Sequence, residues 1–209
     1  INATGFQNLP AIYAFGISSN GTALNFTYGT VATWIQGTGN WTDTTNWQDC
    51  IAAVNGIAVE YAGTNGTSTN NSGTNSIQSL TFTNNSTGAF TLAGGGLTIG
   101  AGGIVNDSAY TNTIAMNLAL GANQTFAANT ANLVVSGNIS GTASVTKDGS
   151  QSLALAGANS YTGGTTVNAG ALVVEGAVGD VSNNATFTVQ AGGVAGSVSN
   201  LAPATGTNN

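Results

Sequence analysis

The apolar residues of this chain arrive in short bursts. Leu80-Thr-Phe82, Phe90-Thr-Leu92, Leu97-Thr-Ile99, Ile114-Ala-Met116, Leu118-Ala-Leu120, Leu133-Val-Val135, Leu153-Ala-Leu155, Leu172-Val-Val174 and Phe187-Thr-Val189 each span three residues. Most alternate, and Gly or Asn lies close to nearly all of them. Alternation with period two sends one set of side chains inward and the other outward, as in a half-buried strand. Gly, Asn and Thr favour turns and strands, and strong helix formers other than Ala and Leu are scarce. The pattern predicts an all-β chain of many short strands.

Spacing narrows the architecture. Leu133, Leu153 and Leu172 lie 20 and 19 residues apart, and Val145, Val167 and Val189 lie 22 apart. A loose period near 20 residues favours a stacked solenoid over a sandwich. Each coil would rise about 4.8 Å, the ordinary strand separation, so Ile77 to Val198 allows about six coils and a rod about 30 Å long. Like side chains stack between coils, and ladders of Asn and Thr satisfy polar groups without bringing charge together. Four regions are expected: an N-terminal extension and cap or assembly segment (1–50), a first coil with an Asn/Gly/Ser/Thr-rich exposed loop (51–76, the loop over 62–76), β-helix coils (77–200), and a tail that leaves the solenoid (201–209).

Composition excludes several functions. Among 209 residues there are one Lys or Arg, seven Asp or Glu and no His, a formal net charge of −6. With Lys147 as the sole cation, no basic patch can neutralise a nucleic acid backbone or an anionic membrane surface. Without His, neither Ser-His-Asp nor Cys-His catalysis nor a His-based metal site can form. Cys50 cannot close a disulfide within the chain; it is either a buried inert thiol or a link between chains. No run of 18 apolar residues exists to span a bilayer as a helix. The chain opens on Ile1 without a basic, apolar leader, which reads as a processed form.

At Leu153-Ala-Leu-Ala-Gly-Ala-Asn-Ser-Tyr-Thr-Gly-Gly-Thr-Thr-Val-Asn-Ala-Gly-Ala-Leu-Val-Val174 a more specific signal appears. This segment resembles the autotransporter-associated β-strand repeat, the passenger repeat of type V secreted proteins, matching it at Gly157, Asn159, Tyr161, Gly163, Gly164, Thr165, Gly170 and Leu172. Ile139 to Lys147 resembles the coil that leads into that repeat. Thr33 to Trp47 resembles the Trp-rich opening of large repeat proteins of this type, and Ser79 to Asn84 the first coil after it. The resemblance implies a right-handed parallel β-helix, export to the bacterial cell surface or the extracellular space, structural or adhesive roles, and no catalytic residues or cofactor. The family's β-barrel translocator has no counterpart among these residues.

The remaining candidates divide between architecture and binding. Gly157, Gly163, Gly164 and Gly170 are expected in turns, with Asn159 supplying local hydrogen bonds and Tyr161 packing in a turn. Trp34, Trp41 and Trp47 read as a hydrophobic lid over the first coil, or else as a platform for stacking sugars. Leu9, Ile12 and Phe15 belong to a segment that either folds back on its own coil or adds a strand to a neighbouring copy. The seven acids are scattered, so a glycan-cleaving site is poorly supported. Asp43 and Asp49 could contribute oxygens to Ca²⁺, against the simpler reading of a solvated loop. The expectation is a secreted non-enzymatic subunit that self-stacks head-to-tail into a filament or surface layer, with an adhesive passenger that binds glycans as the alternative.

Overall fold

The computed structural model describes residues 14–19, 24–29, 31–48, 52–53, 56–201 and 205–208, with side chains described between 31 and 201. Its strands are short and stack in parallel on three faces. Sheet one contains Val31–Trp34, Ala58–Tyr61, Ser79–Phe82, Ile104–Asn106, Gln124–Ala128, Val145–Asp148, Thr165–Val167, Val181–Asn183 and Val198–Asn200. Sheet two contains Gly39–Asn40, Gly66–Asn70, Phe90–Gly94, Asn112–Ile114, Leu133–Val135, Ser152–Leu155, Ala171–Val174, Thr186–Val189 and Thr205–Asn208. Sheet three contains Asn75–Ile77, Leu97–Ile99, Leu118–Leu120 and Ile139–Ser140. Beyond it, that face continues as single parallel bridges through Ala158, Ala177 and Val194. The chain is therefore an all-β parallel solenoid, with no α-helix among the described residues.

Alternation within each strand builds the core. In sheet two, Leu92, Ile114, Val135, Leu155, Val174 and Val189 stand in register, one per coil, all buried. Beside them run Asn112, Leu133, Leu153, Leu172 and Phe187, so the three leucines singled out by spacing do stack. Removing these side chains from water is the main favourable term of the fold. A slip of one residue would turn each of them outward.

The valines do not stack. Val145 faces Thr165, Val167 faces Lys147, and Val189 lies in sheet two against Val174. The coils shorten toward the C-terminal end: sheet one steps 21 residues from Phe126 to Lys147, 20 to Val167 and 16 to Asn183. A fixed step of 22 cannot follow them.

Three boundaries also move. The solenoid begins at Val31–Trp34, inside the region assigned to an extension. The stretch 62–76 is a coil rather than an exposed loop, for Gly66–Asn70 and Asn75–Ile77 are strands that bury Ser68 and Asn70. Those two polar side chains have partners inside, which apolar periodicity cannot register. Thr205–Asn208 pairs with Thr186–Val189, so the tail remains on the rod. In the N-terminal region, Ala14–Ser19 and Leu24–Gly29 form an antiparallel pair in which Phe15 faces Tyr28. Leu9, Ile12, Cys50 and Asp49 lie outside the described residues.

Candidate functional site

The segment with the most specific sequence signal, together with the strand that leads into it, is one and a half coils of solenoid. Val145–Asp148 and Ser152–Leu155 precede its turn, and Thr165–Val167 and Ala171–Val174 follow it. Each singled-out residue has a local task. Gly157 sits where the chain leaves sheet two: a Cβ there would lie 2.3 Å from the Gly137 carbonyl oxygen. Gly176, on the next coil, stands in the same relation to Gly157 at 2.0 Å, and Gly137 to Met116 at 2.0 Å. This glycine column lets successive corners touch backbone to backbone. Gly163 is equally crowded, with a Cβ position 2.3 Å from Ala143 C. Gly164 and Gly170 adopt φ of +78° and +65°, a region that strains residues with a Cβ. Leu172 is a core residue on the leucine column.

Asn159 links three coils. Its Oδ1 accepts the Ile139 N–H at 2.9 Å, and its Nδ2 donates to the Ala177 carbonyl at 2.8 Å. Asn117, Asn123, Asn132 and Asn138 act similarly, accepting N–H groups of Asn138, Ser144, Ser152 and Ala158 on the following coil. At these bends the strand ladder is interrupted, and a side-chain carbonyl replaces the missing backbone acceptor. Tyr161 is buried, and its hydroxyl is hydrogen-bonded to Thr165 Oγ1. Burial raises its pKa above the ordinary phenol value, with the Thr165 bond opposing in part.

The sole cation is inside. Lys147 replaces an apolar residue in the column Leu80, Ile104, Phe126, Lys147, Val167. It is fully buried. Its Nζ donates to the carbonyls of Asp148 at 2.6 Å, Gly149 at 2.8 Å and Ala169 at 3.0 Å. Two of these belong to its own corner and one to the next coil. Asn106 performs the same task upstream: its Nδ2 donates to Tyr110, Ala131 and Asn132 carbonyls at 3.0, 3.2 and 2.9 Å. Asn106 lies two positions further along the strand than Lys147, and the longer lysine stem spans the difference. Asn70 and Gln124 staple carbonyls at other corners. Desolvation lowers the Lys147 pKa to about 8, opposed by the nearby Asp148 charge. These buried polar staples leave no trace in the apolar periodicity of the chain. The available signal was parity: Asn106 lies two residues beyond Ile104, and Lys147 two beyond Val145, both at inward positions.

The three tryptophans are buried at the N-terminal end of the described solenoid. Trp34 and Trp47 meet edge to face at 5.0 Å, and Trp41 and Trp47 at 5.8 Å. Tyr61, Phe82 and Phe90 continue the cluster into the next coils. Each indole N–H has an acceptor: Gly37 O, Ser68 Oγ and Trp41 O. The short 3-10 turn Thr44–Asn46 brings Trp47 antiparallel against Trp34, and Ile35 N–H bonds to Asn46 O. No indole face is open to a sugar. Asp43 caps this turn by accepting from Thr45 N and Oγ1, and these bonds hold its carboxyl below the usual range. Among the described residues no three Asp, Glu, Cys or His come together as metal ligands.

No curated protein and no solved structure matches the chain. A family model does match, the passenger-associated-transport-repeat, over residues 145–174. That span holds Lys147, the glycine corner, Asn159 and Tyr161. The chain thus carries a passenger-associated transport repeat within a parallel β-solenoid, and the two together fit an autotransporter passenger repeat protein.

Proposed function

We propose that this solenoid is a structural, non-enzymatic part of a passenger carried on a bacterial cell surface or released from it. The observation that carries this reading is the repeat at 145–174 set inside an uninterrupted parallel stack. Of its functional-looking polar residues, Lys147, Asn106 and Asn159 join coil to coil, and Tyr161 is held by Thr165 within its own coil. Nine strands per long sheet give a spacer about 40 Å long, suited to holding other segments away from a membrane. Antibody raised against the folded chain should label intact producing cells or their medium. Labelling only after lysis would overturn the proposal.

A second reading is end-to-end stacking of copies into a filament or layer. One feature favours it: Val194 and Leu201 are 61% and 54% exposed on the last described coils, beside the edge strand Val198–Asn200. Against it, the Trp47 turn already occupies part of the opposite edge. Electron microscopy of the purified chain over a range of concentrations separates the two readings, as single rods or as growing filaments.

A further inference from the structure

The exterior of sheet one carries a column of hydroxyls. Register places Thr125, Thr146, Thr166, Ser182 and Ser199 one above another on five successive coils, all at outward positions. Strand separation spaces them about 4.8 Å apart. At the last three, a shallow depression lies open to solvent. A groove of about 350 Å³ opens there, lined by Gly163, Gly164, Thr166, Asp180, Ser182 and Ser199 among others. The two glycines at its rim are held by backbone geometry: Gly163 has no room for a side chain, and Gly164 has φ +78°. The rim cannot fill.

The chemistry of the lining is selective. Thr166, Ser182 and Ser199 hydroxyls have no hydrogen-bond partner among the described residues, unlike the interior Thr165 hydroxyl, which is held by Tyr161. Asp180 is exposed, with one carboxylate oxygen accepting Ser197 N–H at 2.8 Å and the other facing no protein donor among the described residues. No cation borders the groove, because the only one in the chain is buried at Lys147. Such a surface offers donors and acceptors to neutral hydroxyl groups and repels anions.

We infer that this groove binds a neutral oligosaccharide laid along the solenoid axis, its hydroxyls paired with Thr166, Ser182, Ser199 and the Asp180 carboxylate. The site is distinct from the buried tryptophans and does not depend on whether the rod is a spacer or a filament subunit.

The test is solution NMR of the intact chain titrated at millimolar concentration with a panel of neutral hexasaccharides: β-1,4-glucan, α-1,4-glucan, β-1,3-glucan and chitohexaose. Polygalacturonate serves as the anionic comparator. At least one neutral member should shift the amides of Gly163, Gly164, Ser182 and Ser199 saturably, and polygalacturonate should not. Thr166→Val combined with Ser182→Ala removes two outward hydroxyls while keeping the core, and should weaken binding about tenfold. Unchanged circular dichroism of the double variant secures the fold. Silence across the neutral panel, shifts located elsewhere, stronger binding of polygalacturonate, or unchanged affinity in the folded double variant would overturn the inference.

Discussion

Replacing Lys147 with Met isolates the one charge buried among the described residues. Methionine matches the stem in length and apolar character but donates nothing. Three half-buried carbonyls, those of Asp148, Gly149 and Ala169, lose their donor. At about 1–2 kcal/mol each, the loss is about 5 kcal/mol. The substitution also removes a desolvated ammonium. The lysine pKa falls from 10.5 to about 8, so holding the charged form inside costs about 3 kcal/mol at pH 7. The net expectation is destabilisation by about 2 kcal/mol at neutral pH. The pH dependence is sharper evidence. Because the folded pKa lies below the unfolded one, the unfolded chain binds more protons between about pH 8 and 10.5, and stability rises with pH there. In that window the wild-type chain should gain about 1.4 kcal/mol per pH unit relative to Lys147→Met. Urea unfolding at pH 7, 8, 9 and 10, followed by circular dichroism, reads both effects. Equal stability at pH 7 together with parallel pH profiles would show that Lys147 is not a buried coil-to-coil staple.

Other outcomes follow from the same geometry. Gly157→Ala forces a methyl to within 2.3 Å of a backbone oxygen and should lower stability by about 3 kcal/mol in thermal unfolding. Gly192→Ala, at φ +92° with open space around it, should lose only about 1 kcal/mol. Asn106→Leu removes three amide bonds to Tyr110, Ala131 and Asn132 carbonyls and should cost about 3 kcal/mol in the same assay. Burial raises the Tyr61 pKa above its ordinary value, so the folded chain keeps a proton that the unfolded chain releases. Stability should therefore fall as pH rises above about 10, and Tyr61→Phe should flatten that fall in urea titrations. Trypsin should leave the folded protein whole, since its only basic residue is buried, and should cut the unfolded chain once, after Lys147.

What could be read from the sequence was governed by apolar side chains. The inward leucines at 133, 153 and 172 recur because each covers the one below, and their spacing exposed the parallel stack. The valine series failed because coils of changing length have no single period. The stretch 62–76 looked like a loop because its inward residues, Ser68 and Asn70, are polar; hydrogen bonds to Trp41, Tyr61 and three backbone carbonyls keep them inside. Lys147 was hidden for the same reason, since a burial rule based on charge places lysine in water. The glycines of the repeat are recognisable as special in the sequence, but it is the fold that requires Gly163 for space and Gly164 for its φ. The hydroxyl column on sheet one has no sequence signature, because it depends on unequal steps that still bring Thr146, Thr166, Ser182 and Ser199 into line.

Strands far apart in sequence stack in one parallel register. Ser79 and Ser199 lie on the same outward column of sheet one, six strand steps apart. Nitroxides attached at Ser79→Cys and Ser199→Cys, in a Cys50→Ser background, report their separation by double electron–electron resonance. A continuous solenoid predicts one narrow distribution centred near 29 Å, from six steps of about 4.8 Å. A broad distribution, or a narrow one centred far from that value, would contradict the stack.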